Sequence, residues 1–377
     1  MNICTKTPEA LLIGPGLSGG GAEGQFKLMA RSFFSGRLPV ALLTGKTEDV
    51  DAADVSRFHF LGWRGQWSYL RIVPWFWWLV WRGGYRVLFA FGLFPCLVAA
   101  CATLGRKEKV RLIVSEITRP QRADDGAGLI RRRLYRFFRR FAYRRAYLRT
   151  ANSLDGVREM CAIAGVTAEK GRRVFNIIDH EHLRQRAAEP CALTLPAARY
   201  FICVSRFEPM KGLDTVIAAM ALLPEHAGVH LLIVGDGPAR TTLVAQMTRL
   251  GLNERVHFTG WLQNPAPLVQ KATALISASE YEGFSNSVLE AMFLDTPVIT
   301  SLCSADTADM CVQGAALGFA VGDERALAAA MKRLLTEPEN TGRLVENARR
   351  YRQPHAMENS LLDYEKILLT ACDKATA

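Results

Sequence analysis

The segment 274–300 constrains the fold of this chain more than any other. Ala274, Leu275 and Ile276 make an apolar run with the length of a buried strand, and a polar loop follows with Gly283 as its flexible point. Asn286 is the N-cap candidate for a helix carrying Val288, Leu289 and Met292, which stops near Asp295 and Pro297. Val298, Ile299 and Thr300 then read as the next strand. A strand that returns through a helix to a second strand pairs with it in parallel, so this unit belongs to an α/β sheet covered by helices. Glu282 falls in the loop above the first strand and Glu290 early in the helix. Gly283, Phe284, Ser285 and Asn286 lead into the helix start, where the first N–H groups have no intrahelical acceptor and attract an anion. Two carboxylates flanking such an end suit a sugar nucleotide, with hydroxyls on the acids and the diphosphate on the amides. The bland alternative is two solvated acids that merely favour the helix dipole.

The same alternation runs through the chain. Residues 11–13 read as the first strand, and Gly14, Gly16 and Gly19 follow at the spacing of the dinucleotide-binding fingerprint. That fingerprint needs an acid at the end of the second strand to hold a ribose. Here residues 40–43 end in Thr44, Gly45 and Lys46. A nicotinamide-dependent oxidoreductase is therefore the minor reading of the loop. Further strands are expected at 85–91, 110–114, 200–204, 229–234 and 256–258, and helices at 69–81, 96–104, 326–335 and 360–369. The stretch 87–104 contains 18 uncharged residues, the threshold for a membrane span. Gly92 and Pro95 cut it into pieces of soluble size, so no span is expected.

A formal charge of +11 calls for an anionic partner. The stretch 126–154 contains no acid; its centre, from Arg131 to Tyr147, reads as an amphipathic helix, and Arg131 to Arg149 supply the basic charge. Leu134, Phe137, Phe138 and Phe141 are expected on one side, with Arg132, Arg136, Arg139 and Arg140 on another. Six of the seven tryptophans, among them Trp75, Trp77, Trp78 and Trp81, lie within 63–104. Indoles favour a membrane–water interface and arginines favour anionic headgroups, so peripheral docking on an anionic membrane is expected. Charge alone would also suit nucleic acid, but no nucleic-acid-reading motif accompanies it. The nine cysteines show no paired spacing, and the first residues lack a signal-peptide core, which together imply a cytoplasmic protein with reduced thiols. A non-catalytic membrane-surface scaffold would share these features without needing the acids and cations described next.

Glu282 and Glu290, eight positions apart, resemble the signature of retaining GT-B glycosyltransferases of family 4. The resemblance extends through Ser205-Arg206, Lys211-Gly212, the run from Val234 to Pro238, and Phe258-Thr259-Gly260. It implies two Rossmann-like α/β domains facing across a cleft: 1–180 for the acceptor, a linker over 181–198, 199–354 for the nucleotide sugar, and 355–377 crossing back to the first domain. It implies transfer of a sugar from a nucleotide-sugar donor, a substrate rather than a cofactor, without a metal. A UDP-sugar such as UDP-N-acetylhexosamine is favoured, with GDP-mannose as the alternative. Arg206 and Lys211 would hold the diphosphate, Glu282 the sugar hydroxyls and Glu290 the ribose. Gly19, Gly20 and Gly21 resemble the loop that faces the donor phosphates. Where many members carry a histidine, this chain has Glu116, which resembles the branch that builds lipid-linked and surface glycans and would serve as acceptor-side base. After Thr300 the family's longer turn is replaced by residues 301–309.

Overall fold

Each apolar run becomes a parallel strand, and the helices between them supply the two covering layers. The computed structural model describes residues 10–14, 24–26, 28–29, 40–44, 58–60, 73–105, 109–116, 120, 128–191, 199–224 and 228–374. Two units separate: Met1–Ile177 together with Glu358–Ala377, and Ile178–Met357. Gly19, Gly20 and Gly21 lie outside the described residues.

In the first unit the strands are β1 (Ala10–Ile13), β2 (Val40–Thr44), β3 (Phe58–Phe60), β4 (Val87–Phe91), β5 (Arg111–Glu116), β6 (Leu148–Ala151) and β7 (Gly171–Arg173). They pair in parallel in the order β3-β2-β1-β4-β5-β6-β7. The apolar faces of β1, β4 and β5 close on Phe76, Val80, Ala99, Tyr143 and Met160 from the covering helices. Helix Val73–Arg82 buries Phe76 and Val80 and leaves Trp75, Trp77 and Trp78 exposed. Helix Leu93–Ala102 packs between it and the arginine-rich helix Leu129–Arg145. Among the described residues no helix is long and apolar enough to cross a membrane. The last helix, Met357–Lys374, belongs to this unit almost whole: Ser360 donates to the Asn176 carbonyl at 3.3 Å, and the Tyr364 ring packs 5.9 Å from Phe89.

The phase of the arginine-rich helix differs from the expected one. Tyr135, Arg139, Ala142 and Tyr143 point inward, whereas Phe137 is 65% exposed and Leu129 and Ile130 more so. Arg139 is thus buried and no part of a solvated face, and Arg149, on β6, is buried too, donating to the carbonyls of Tyr143 and Ala146. The outward arginines are Arg131, Arg133, Arg136, Arg140 and Arg144.

In the second unit β8 (Arg199–Val204), β9 (Val229–Val234), β10 (Val256–Gly260), β11 (Ala274–Ser277), β12 (Val298–Ser301) and β13 (Leu317–Phe319) pair in the order β10-β9-β8-β11-β12-β13, all parallel. Chain order reverses at β8, which lies between β9 and β11, so the crevice beyond β8 and β11 is a topological switch point. The segment 181–198, read as a linker, includes most of helix His180–Ala187, whose Leu183 and Ala187 join the core of this unit. Residues 301–309, read as a turn, include the start of helix Ala305–Val312, fixed by a capping box of Ser304 and Thr307. The described cysteines are free thiols.

Candidate active site

Three segments meet at the switch point of the second unit. The first follows β8: Arg206 comes two residues after Val204, is 79% exposed at its side chain, and pairs with Glu208 at 2.8 Å. The second is Lys211-Gly212. Gly212 adopts φ +61°, the left-handed region, and a Cβ there would meet the Ala278 carbonyl oxygen at 2.1 Å. Only glycine lets the Lys211 turn lie this close to the end of β11. The third is the loop after β11. The Ser279 hydroxyl donates to Glu282 Oε1 at 2.9 Å, and Lys211 Nζ forms an ion pair with the same oxygen. Lys211 and Glu282 are both largely shielded, at 19% and 17% side-chain exposure, so their attraction is screened less than that of a surface pair.

Helix Asn286–Phe293 begins directly after this loop. Its N-cap is Ser285, with Asn286 as first helical residue, one position earlier than Asn286 as N-cap would give. The Ser285 side chain makes no cap bond; its hydroxyl lies 3.0 Å from that of Ser287. Gly283 and Phe284 are buried beneath the turn, and the Phe284 ring packs 4.7 Å from His355. Glu290, one turn into the helix, is half-buried. Burial pushes its carboxyl up to about 6 from the ordinary 4.5, and the positive charge of Arg186 opposes that rise. A small open pocket beside Glu282 is lined by Phe284, Val288, Thr300, Thr307 and Met310.

Glu116 lies elsewhere, in the first unit. It closes β5, is 5% exposed, and accepts a hydrogen bond from the Tyr143 hydroxyl at 2.8 Å. Burial, and next the Glu116 charge, hold the Tyr143 phenol well above its usual range. Cys96 completes the cluster with its thiol on the Ala90 carbonyl at 3.3 Å; burial and then Glu116 push that thiol up as well, while Arg139 opposes. The structure therefore brings Lys211, Glu282 and the 283–286 helix start together, with Arg206 on the same strand-end rim. It places Glu116 in a buried polar cluster of the other unit. Ser279, Thr300 and Thr307 went unread in the sequence, because hydroxyls near strand ends carry no spacing signal of their own.

Residues 194–351 match the glycosyl transferases group 1 family, and the match contains Arg206, Lys211, Gly212, Glu282, Glu290 and the 283–286 helix start. Among curated relatives, the lipopolysaccharide core biosynthesis glycosyltransferase LpsE of Rhizobium meliloti is 30% identical over 161 residues, covering 42% of this chain and 46% of that protein. The N-acetylgalactosamine-N,N'-diacetylbacillosaminyl-diphospho-undecaprenol 4-alpha-N-acetylgalactosaminyltransferase of Campylobacter jejuni is 27% identical over 194 residues, 51% of each. The chain spans about half the length of the curated relatives it matches. Across 96% of this chain and all of its own, the structure of Anabaena Alr3699/HepE in complex with UDP superposes at a TM-score of 0.76 with 18% identity. That likeness establishes the fold: two parallel-sheet α/β domains of the GT-B glycosyltransferase architecture.

Proposed function

We propose that this protein is a retaining glycosyltransferase that moves a sugar from a UDP-sugar to a lipid-linked or surface-glycan acceptor at the cytoplasmic face of an anionic membrane. The observation that carries the reading is the convergence of Lys211, Glu282 and the 283–286 helix start at the switch point of the second unit. A nucleoside diphosphate leaving group gains negative charge as the glycosidic bond breaks. Fixed cations and helix-end amides stabilise that charge without reorganising, which is the largest single source of catalysis in such a step. Lys211 and Arg206 fill the cation role, Lys211 as a point charge beside Glu282 and Arg206 as a fork on the open rim. Glu282 takes the sugar hydroxyls and Glu290 the ribose. Among the relatives, the names of the Rhizobium and Campylobacter proteins point to lipopolysaccharide core and to an undecaprenol-linked acceptor, and the HepE complex to UDP.

The membrane part rests on the outward faces of two helices in the first unit. Arg133, Arg136, Arg140 and Arg144 are interleaved with exposed Leu129, Ile130 and Phe137, while Trp75 and Trp78 stand out from the next helix but one. Apolar insertion and charge attraction are each weak alone and add when combined. Glu116 is proposed as the acceptor-side base, with its carboxylate oriented by Tyr143.

The donor assignment is tested by calorimetry with UDP and GDP, then by transfer assays on Arg206→Ala and Lys211→Ala. Each variant is expected to lose about two to three orders of magnitude in turnover, the usual cost of one developing-charge partner. Normal turnover in both folded variants refutes the clamp. Glu116→Gln is expected to keep UDP affinity and lose transfer. Docking is tested by flotation with vesicles of varied anionic content. Changing Arg136 and Arg140 to Glu should abolish the salt-sensitive part, and equal flotation on neutral vesicles refutes it.

A further inference from the structure

The pocket beside Glu282 has a chemistry that the nucleotide site does not use. Its floor is Val288 and Met310, each 1% exposed, and its walls are Phe284, Thr300 and Thr307. It has room for about one water-sized group. The two threonines suggest polarity, but their hydroxyls are spent on neighbouring backbone. Thr307 Oγ1 donates to the Ser304 carbonyl at 3.0 Å and accepts from the Ser304 N–H at 3.1 Å. Thr300 Oγ1 turns to the Ser301 carbonyl at 3.4 Å. What the floor and the threonine walls offer an occupant is therefore apolar, while the Ser277 and Ser285 hydroxyls and the Glu282 carboxylate supply the polar part of the lining. The polar atom at the rim, Glu282 Oε1, is already held by Lys211 and Ser279.

We infer that this pocket selects a donor sugar bearing an acetamido group, whose methyl it seats, over the corresponding plain hexose; the inference rests on the donor-site reading above. A sugar hydroxyl seated on the Val288 and Met310 floor would give up water for apolar contact, which is costly. A methyl in that place loses nothing polar, and the amide of the same acetamido group would be left to the Ser277 and Ser285 hydroxyls and the Glu282 carboxylate. A single methyl-sized group in an apolar pocket discriminates by about 10- to 200-fold, so the preference is a measurable one. Val288, Thr307 and Met310 set specificity, while Glu282 holds the ring.

The test is calorimetry on the full chain with four probes: UDP, UDP-glucose, UDP-N-acetylglucosamine and UDP-N-acetylgalactosamine. UDP reports the nucleotide site alone. In wild type, at least one acetamido donor is expected to bind about 10-fold or more tighter than UDP-glucose. Thr307→Leu, which fills the pocket, should bring the acetamido and plain donors within about threefold of each other. Thr307→Ser keeps the hydroxyl that caps helix Ala305–Val312 and removes only the methyl, so it should lose part of the preference in a protein that folds normally. If UDP binds but acetamido and plain donors bind equally, or if the preference survives unchanged in Thr307→Ser and in any folded Thr307→Leu, the inference is overturned and the donor reading stands. If none of the four binds, the donor reading itself fails and takes the inference with it.

Discussion

Glu290→Gln separates the two costs carried by a half-buried carboxylate in a binding site. In the folded protein the Glu290 carboxyl titrates near 6, against 4.5 in an open chain, because burial disfavours the charged form more than Arg186 favours it. The sign follows from which state binds the proton more readily. Below about pH 4.5 the group is protonated both folded and unfolded and contributes nothing either way. As pH rises to about 6 the unfolded chain ionises first, and above that the folded state bears the full cost of a desolvated anion. One and a half pH units correspond to about 2 kcal/mol. Gln has the same shape and no charge, so Glu290→Gln should stabilise the second unit by up to about 2 kcal/mol at pH 7 to 8, with the gain vanishing towards pH 4.5. For a unit of this size that is a rise of about 4 to 8 °C in its melting temperature. The same variant should bind UDP more weakly by about one to two orders of magnitude, the value of a hydrogen bond from a ribose hydroxyl to a charged acceptor. Urea unfolding of wild type and variant at pH 4.5, 6 and 8, with UDP calorimetry at pH 8, checks both halves. A pH-independent difference refutes the burial argument, and unchanged UDP affinity refutes the ribose contact.

Gly212→Ala carries both a left-handed backbone penalty and a clash with the Ala278 carbonyl, whereas Gly251→Ala, at φ +69° with nothing within 4 Å of the added carbon, carries the first alone. Thermal unfolding should show about 1 to 2 kcal/mol lost for Gly251→Ala and clearly more for Gly212→Ala, together with weakened UDP binding; equal losses would mean that the close approach is unimportant. Arg139→Met should destabilise the first unit by about 3 to 5 kcal/mol, because it removes the buried positive charge that acts on Tyr143 and Cys96 in the Glu116 cluster, while Arg136→Glu should leave stability nearly unchanged and weaken vesicle binding. Tyr143→Phe removes the hydroxyl that favours ionised Glu116, so the acid limb of the transfer rate should move to higher pH; an unmoved limb would count against Glu116 as the base.

The strand–helix alternation, the parallel pairing and the place of Glu282 and Glu290 were legible in the sequence, since each depends on periodicity within a few residues. The apolar run 274–276 and the helix after it are recognisable because a buried strand and an amphipathic helix impose their repeats on neighbouring positions. The helix Ala305–Val312 was harder, because its capping box of Ser304 and Thr307 looks like turn chemistry until the chain beyond it is seen to pack. What joins distant segments lay beyond local pattern. Lys211 meets Glu282 across 71 positions, and Tyr143 meets Glu116 across 27. The second of these contacts lies behind the misplaced face of the arginine-rich helix. Counting apolar residues puts Phe137 inside and Arg139 outside, but the buried carboxylate at the end of β5 takes the Tyr143 hydroxyl, and the helix face that carries Tyr143 and Arg139 turns inward and leaves Phe137 to solvent. An isolated charge in a core costs more than an exposed aromatic ring, so tertiary structure overrode the pattern at that helix. Sequence alone determined which elements form; closure of the two sheets decided which polar groups each element has to satisfy.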